Sequence, residues 1–330
     1  MKQISLAVVG VTGMVGRTFL KVLEERKVKI DKFYIFASKK SAGKIIEFNG
    51  NEYVVEELKE DSFDRGIDIA LFSAGGEISK KFAPIAAEKG CIVIDNSSAW
   101  RMDENVPLVV PEVNPEDIFK HKGIIANPNC STIQAVVALK PLDDKYKIKR
   151  IVYSTYQAVS GAGVLGVEDL KNGLKGESPK MFLHPIANNC LPQIDVFTEN
   201  GYTKEELKMI NETRKILHNN NLKITATAVR VPVLNSHSEC INVEFYENFE
   251  LDELIETLKN FNGTKVINNW AKNEYPLATI SNDTDDVYIG RIRRDESLES
   301  GVNLWVVADN IRKGAASNAV QIAEIIIKNM

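Results

Sequence analysis

The chain has 330 residues, 44% of them hydrophobic, and a formal net charge of -4, which suits a soluble protein with a substantial core and gives no reason to expect a nucleic-acid partner. Cys91, Cys130, Cys190 and Cys240 stand far apart with no C-x-x-C pair, which argues against a zinc site or a disulfide scaffold and predicts reduced thiols and no metal. Lys2 is followed by an apolar run too short for a signal peptide, and no run approaches the roughly 18 apolar residues of a membrane helix, so the expectation is a cytoplasmic protein without a membrane partner.

The first element is an apolar strand, Ile4-Ser5-Leu6-Ala7-Val8-Val9, that runs into Gly10-Val11-Thr12-Gly13-Met14-Val15-Gly16 and then a helix with Phe19, Leu20, Val22 and Leu23 on one face. Strand, glycine turn and helix together read as a dinucleotide fingerprint, with a pyrophosphate against the helix N-terminus. The spacing is G-x-x-G-x-x-G, with Thr12 where glycine is commoner, so a purely structural glycine turn stays open. The second strand, Phe33-Tyr34-Ile35-Phe36-Ala37, ends in Ser38-Lys39-Lys40-Ser41 with no acidic residue to bond a ribose hydroxyl. Hydroxyls and ammoniums suit a 2'-phosphate, which predicts NADP in preference to NAD. A solvated basic loop is the alternative.

Strands at 67–72, 92–95 and 123–126 alternate with a helix at 79–89, the pattern of a doubly wound parallel sheet. Next comes Asn127-Pro128-Asn129-Cys130-Ser131-Thr132, where Pro128 stops a strand and Ile133, Val136, Val137 and Leu139 predict an amphipathic helix capped by Asn129 or Ser131. Cys130 then lies at a helix N-terminus, whose positive end favours thiolate and lowers a free-cysteine pKa of about 8.5. The cysteine is a candidate nucleophile, or else a small buried apolar residue.

Beyond that helix the pattern changes to longer strands at 151–156, 224–233 and 240–246 with few helices between them, indicating a mixed or antiparallel sheet. Gln157 follows the first of these and precedes Ser160-Gly161-Ala162-Gly163, small residues that permit close approach to a ligand. Arg230 sits among β-branched residues and seeks an anion, or else forms an ordinary ion pair, while His237, seven residues later, also reads as a surface or satisfied core histidine. Leu251, Leu254, Ile255 and Leu258 mark a helix, and 315–328 reads as another.

The glycine turn, the Asn129-Cys130-Ser131-Thr132 site, Tyr156-Gln157-Ala158-Val159-Ser160-Gly161-Ala162-Gly163, and Arg230-Val231-Pro232-Val233 with His237 closely resemble the aspartate-semialdehyde dehydrogenase family across essentially the whole chain. The resemblance implies an α/β fold: a Rossmann-like doubly wound parallel sheet plus an α+β catalytic and dimerisation domain with a mixed or antiparallel sheet. Residues 1–129, completed by 310–330, would bind NADP, and 130–309 would form the second domain of a homodimer. The implied reaction is reversible NADPH-dependent reductive dephosphorylation of L-4-aspartyl phosphate to L-aspartate 4-semialdehyde and inorganic phosphate, through a Cys130 thioester, in lysine, threonine and methionine biosynthesis.

The same resemblance gives the site its roles. Cys130 would be the nucleophile and His237 the acid/base group, Gln157 and Asn129 would position substrate and oxyanion, Arg230 would clamp the substrate carboxylate and Glu205 would meet its ammonium. Arg101 and Lys208 would bind phosphate. The cofactor would lie against Gly10, Thr12, Gly13, Met14, Val15, Gly16, Ser38, Lys40, Ser41, Ser160, Gly161 and Asn310. Lys40 stands where family members often carry arginine, which weakens bidentate 2'-phosphate binding. Glu205 and Lys208 also read as a surface i,i+3 pair. N-acetyl-glutamyl-phosphate reductase and glyceraldehyde-phosphate dehydrogenase use related chemistry with different cysteine motifs, and a catalytically silent paralogue is the alternative outside enzymes.

Overall fold

The computed structural model describes residues 4–330, so Lys2 lies outside the described residues. Two compact units emerge, one made of the chain up to Asn129 together with Ala315–Met330, the other of Cys130–Gly314.

In the first unit, β1 (Ile4–Val9), β2 (Ile30–Ala37), β5 (Glu56–Glu57), β6 (Ile69–Phe72), β7 (Ile92–Asp95) and β8 (Ile124–Ala126) form one sheet in the order β5-β2-β1-β6-β7-β8. Every pairing is parallel. The strands β3 (Ile45–Phe48) and β4 (Asn51–Val54) are a separate antiparallel hairpin. With the hairpin set aside, the strand order is that of the doubly wound nucleotide-binding fold, whose ligand crevice opens where the order reverses beside β1. The buried strands are near-continuous apolar runs, as a sheet covered on both faces requires. Helices α1 (Met14–Glu25) and α2 (Gly76–Glu88) come from the connections, and the last helix of the chain, α8 (Ser317–Asn329), returns to bury Ala319, Val320, Ile322 and Ala323 in the same core.

The second unit opens with α3 (Cys130–Tyr146) and β9 (Ile148–Gln157), followed by α4 (Gly163–Gly173), α5 (Lys204–Ile216), β10 (Lys223–Arg230), β11 (His237–Phe245), α6 (Leu251–Lys259), β12 (Thr264–Val266), α7 (Ala278–Ser281), β13 (Val287–Arg294) and β14 (Gly301–Ala308). Its sheet runs β10-β9-β11-β14-β13-β12. The pairs β10–β9 and β12–β13 are parallel and the rest antiparallel, so the sheet is mixed. Along β11 the odd positions His237, Glu239, Ile241, Val243 and Phe245 are buried and the even ones half-buried, the period-two signature of one face against a core.

Three expectations change. The Cys130 helix is not amphipathic, because twelve of its residues are buried, including Thr132, Gln134 and Pro141; it is a core helix sandwiched inside the unit. Helices α4 and α5 occupy a stretch expected to hold few. The chain returns to the first unit at Ala315, not at 310, because Asn310 is tied into the second unit. Its Oδ1 accepts the Ser236 N–H at 2.9 Å, and its Nδ2 donates to Ser160 Oγ at 3.0 Å.

Candidate active site

At the carboxyl edge of the parallel sheet, Gly10 follows β1 with φ +84°, and a Cβ there would overlap the Ser73 carbonyl after β6. Gly16 packs so closely on the Gly10 carbonyl that it too admits no side chain, whereas Gly13 is the α1 N-cap with room beside it. The glycines thus divide: two close the turn, and the third leaves the helix N-terminus open to an anion. A cavity of about 350 Å³ lies here, walled by Gly10, Thr12, Gly13, Ser38, Lys39 and Glu57 among others. Lys40 and Ser41 are not on its wall. The Ser41 N–H bonds the Ser38 carbonyl at 2.8 Å, closing a turn that carries Lys40 out to solvent. Sequence reading gave no weight to Glu57, which reaches the cavity from β5 and lies 3.8 Å from Lys59 Nζ.

Arg101, also in this unit, is buried and donates from Nε to the Asn127 carbonyl at 2.9 Å and from Nη2 to the Asn96 carbonyl at 3.0 Å. Asn127 is itself a hub, donating to Asn96 Oδ1 at 2.6 Å and to the Ala315 carbonyl at 3.1 Å and accepting from Asn318 at 2.7 Å. These bonds fix the chain that leads through the buried Asn129 into α3.

In the second unit, Cys130 opens α3 with its backbone against Gly314, where an added Cβ would come within 2.8 Å of the cysteine Cβ. Gly161 is pressed in the same way onto Arg230 Nη1 (2.8 Å) and His237 Nε2 (3.2 Å). Arg230, the last residue of β10, is buried and donates to the Ala158 carbonyl at 2.7 Å. Burial works against its charge, while Glu205 and Cys130 favour it. It also borders a cavity of about 430 Å³ lined by Phe182, Leu191, Ile194 and Asp195.

His237, first residue of β11, is fully buried, and its Nδ1 accepts the Ala158 N–H at 3.0 Å. Burial, then the Arg230 charge, holds its pKa well below the usual histidine value. A neutral ring with Nδ1 as acceptor carries its hydrogen on Nε2, the nitrogen beside Gly161. Gln157, last residue of β9, donates to Glu205 Oε1 at 3.2 Å and to Thr155 Oγ1 at 3.3 Å. Glu205 is only 5% exposed, so it is no surface pair: its other oxygen accepts from Lys208 at 3.1 Å, and Lys208 also bonds Asp195 at 2.9 Å. Burial opposes the Lys208 charge, but Glu205 and Asp195 outweigh it and raise the pKa.

The second unit therefore joins Gln157, Glu205 and Lys208 by hydrogen bonds and Arg230 and His237 through Ala158, with the Cys130 charge favouring that of Arg230, while Ser160 and Asn310 are engaged with each other. Missed from sequence were Asp195, the Ala158 amide, Gln134 and Glu239. The α5 start was readable: Thr203-Lys204-Glu205-Glu206 is a capping box, with the Glu206 N–H bonding Thr203 and the Thr203 N–H bonding Glu206.

Residues 5–121 match the family model described as semialdehyde dehydrogenase, NAD binding domain, and residues 139–313 that described as semialdehyde dehydrogenase, dimerisation domain. The chain is 59% identical to aspartate-semialdehyde dehydrogenase of Aquifex aeolicus over 98% of each. It is similar to a crystal structure of aspartate semialdehyde dehydrogenase II complexed with ASA from Vibrio cholerae, at TM-score 0.96 and 46% identity over 99% of each chain. It also resembles a structure of aspartate semialdehyde dehydrogenase with NADP from Candida albicans, at TM-score 0.77 and 26% identity over 99% of each chain. Matched by both family models and along nearly its whole length by these relatives, the chain belongs to the aspartate-semialdehyde dehydrogenase family.

Proposed function

We propose that this protein catalyses the reversible NADP-dependent, phosphate-dependent oxidation of L-aspartate 4-semialdehyde to L-4-aspartyl phosphate. The observation that carries the reading is the cluster around Arg230: Cys130, which begins a buried helix, favours the Arg230 charge, and Arg230 Nη1 and His237 Nε2 share the face of Gly161.

Arg230 supplies a fixed cation at the cavity mouth for the substrate carboxylate, and Glu205, held by Gln157 and Lys208, supplies an anion for its ammonium. The Cys130 thiolate attacks the aldehyde carbon, forming a C–S bond and a negative oxygen. His237 holds its Nε2–H on that oxygen as a hydrogen-bond donor, so the negative charge stays on the oxygen and collapses to the thioester carbonyl as the hydride leaves; acting as a base would require release of the Ala158 N–H from Nδ1. NADP, which Gly10, Thr12, Gly13 and Lys39 would hold, would supply the acceptor for the hydride that the former aldehyde carbon gives up. The resulting thioester is cleaved by phosphate, which takes the acyl group as Cys130 leaves as thiolate. Lys208 can meet phosphate by exchanging Asp195, and Arg101 is the second candidate cation.

The cavity beside Gly13, and the glycines a Cβ would obstruct, fit a dinucleotide. Lys39 on its wall favours the 2'-phosphate of NADP. The outer face of the second-unit sheet supports a homodimer: Tyr156 is 39% exposed there with its ring 5.4 Å from that of Trp305, above a cavity of about 420 Å³. Among the described residues no helix is long and apolar enough to cross a membrane.

The test is NADPH formation from L-aspartate 4-semialdehyde with and without phosphate, beside Cys130→Ser and with N-acetyl-glutamate semialdehyde as rival substrate. Turnover requiring both phosphate and Cys130 is the expected result. Turnover of the rival alone, or silence on both, would overturn it.

A further inference from the structure

Glu239 has no place in the chemistry above, yet it is fully buried and both of its carboxylate oxygens are without a hydrogen-bond partner among the described residues. A buried carboxylate left in that state is among the costliest arrangements a protein can hold. A second orphan stands on the neighbouring helix. Gln134 is also fully buried; its Nε2 donates to the His237 carbonyl at 3.4 Å, and its Oε1 accepts from none of the described residues. The amide cannot be reversed to cure this, because the His237 carbonyl needs the nitrogen.

The two orphans occupy matching positions on two elements that run side by side. Cys130 and Gln134 are one turn apart on α3, about 6 Å along its axis. His237 and Glu239 are two residues apart on β11, on one face and about 7 Å apart. The elements keep company to their far ends, where the Tyr146 and Phe245 rings lie 5.6 Å apart. The bond from Gln134 to the His237 carbonyl ties α3 to β11 here, and Glu239 is the next buried residue along that same face of β11.

All three orphan oxygens are acceptors, so a single proton on Glu239 removes its charge and gives Gln134 Oε1 a donor, leaving only one uncharged carbonyl oxygen unpaired. We propose that Glu239 is a positioning residue, an uncharged carboxylic acid whose O–H donates to Gln134 Oε1 and so locks the nucleophile's helix to the strand that carries His237. Burial, and then the Glu205 charge, push the Glu239 pKa well upward, in the same sense. Its cross-strand neighbours Thr155 and Val306 bring no charge, and the nearby Tyr153 hydroxyl is occupied with Thr213 at 3.1 Å. Glu205 accepts from Gln157 and Lys208 whereas Glu239 has no such donor, so of these two carboxyls the proton goes to Glu239.

The positioning role rests on Cys130 and His237 being the reacting pair; the protonation itself does not. Infrared difference spectra between the wild-type protein and E239Q at neutral pH should show a protonated-carboxyl carbonyl band that the variant lacks. E239L should slow both turnover and alkylation of Cys130 by about tenfold, and E239Q, which keeps a donor at the same place, should restore both to within about twofold. A carboxylate spectrum in the wild type, as expected if a buried water satisfies an ionised Glu239, would overturn the proposal, as would E239Q impaired as deeply as E239L. If E239L does not fold, the spectra of wild type and E239Q still decide. Absence of semialdehyde turnover in a wild type that shows the band would refute the proposed substrate and leave Glu239 protonated.

Discussion

The backbone N–H of Ala158 points at Nδ1 of His237 from 3.0 Å and thereby decides which ring nitrogen carries hydrogen. A bare lone pair at Nδ1 is needed to receive that amide, so an imidazolium would cost the bond. Burial and Arg230 act in the same direction. Because the folded pKa lies below the unfolded value of about 6.5, the unfolded chain binds the proton more readily; the linked stability is complete above that value and is lost as the pH falls through it. Denaturation of the wild type between pH 7.5 and 5 should therefore show a slope that His237→Gln reduces, by up to about 1.4 kcal/mol per pH unit.

Gly161→Ala should damage the site while sparing the fold. The position does not have a left-handed φ, but the new methyl would reach Arg230 Nη1 and His237 Nε2. A displacement of the order of 1 Å at reacting groups costs up to about a hundredfold. We expect kcat/KM for the semialdehyde to fall about tenfold to a hundredfold with an unchanged melting temperature, which kinetics and calorimetry on the same sample will check.

Cofactor choice should depend on Lys39 more than on Lys40. Only the first lines the cavity beside Gly13, the second facing solvent beyond the Ser38–Ser41 turn. A charge-assisted hydrogen bond is worth about 1.5–3 kcal/mol, so K39A should reduce the NADP/NAD ratio of kcat/KM by about tenfold or more. K40A should move it by less than about threefold, the size expected of a screened charge.

The cysteines should separate by reactivity in an order that exposure alone does not give. Burial, with a contribution from Asp68, pushes the Cys91 thiol up to about 12, so it should resist iodoacetamide at pH 7.5. Cys190 is exposed and Cys130 only half-buried, yet the helix N-terminus should make Cys130 the faster. Peptide mapping after brief alkylation will rank them; a faster Cys190 would refute thiolate stabilisation at Cys130.

Legibility in the sequence followed the kind of signal each residue leaves. The glycine turn, the cysteine after Pro128 and the cation at the end of β10 are local departures from pattern, visible in a few consecutive residues. The strands β13 and β14 and helix α5 carried readable signals too, alternation in the first two and the Thr203–Glu206 capping box in the last. Glu239 and Gln134 left none, because the strand was expected to begin at Cys240, whereas pairing with β14 starts it at His237. Lys39 and Glu57 meet only because β5 lies beside β2, a neighbourhood set by sheet order and invisible to periodicity.

Asn127 is bonded to Ala315 across 188 residues and to Asn318 across 191. The residue three before the start of α3 is thus held by a segment synthesised long after it. Loop closure over such spans is late and slow. A nascent chain that already contains Cys130 lacks the Gly314 backbone against which the cysteine rests, and so emerges with an unfinished thiol site. The order of synthesis itself withholds the finished surroundings of Cys130 until Gly314 has been made.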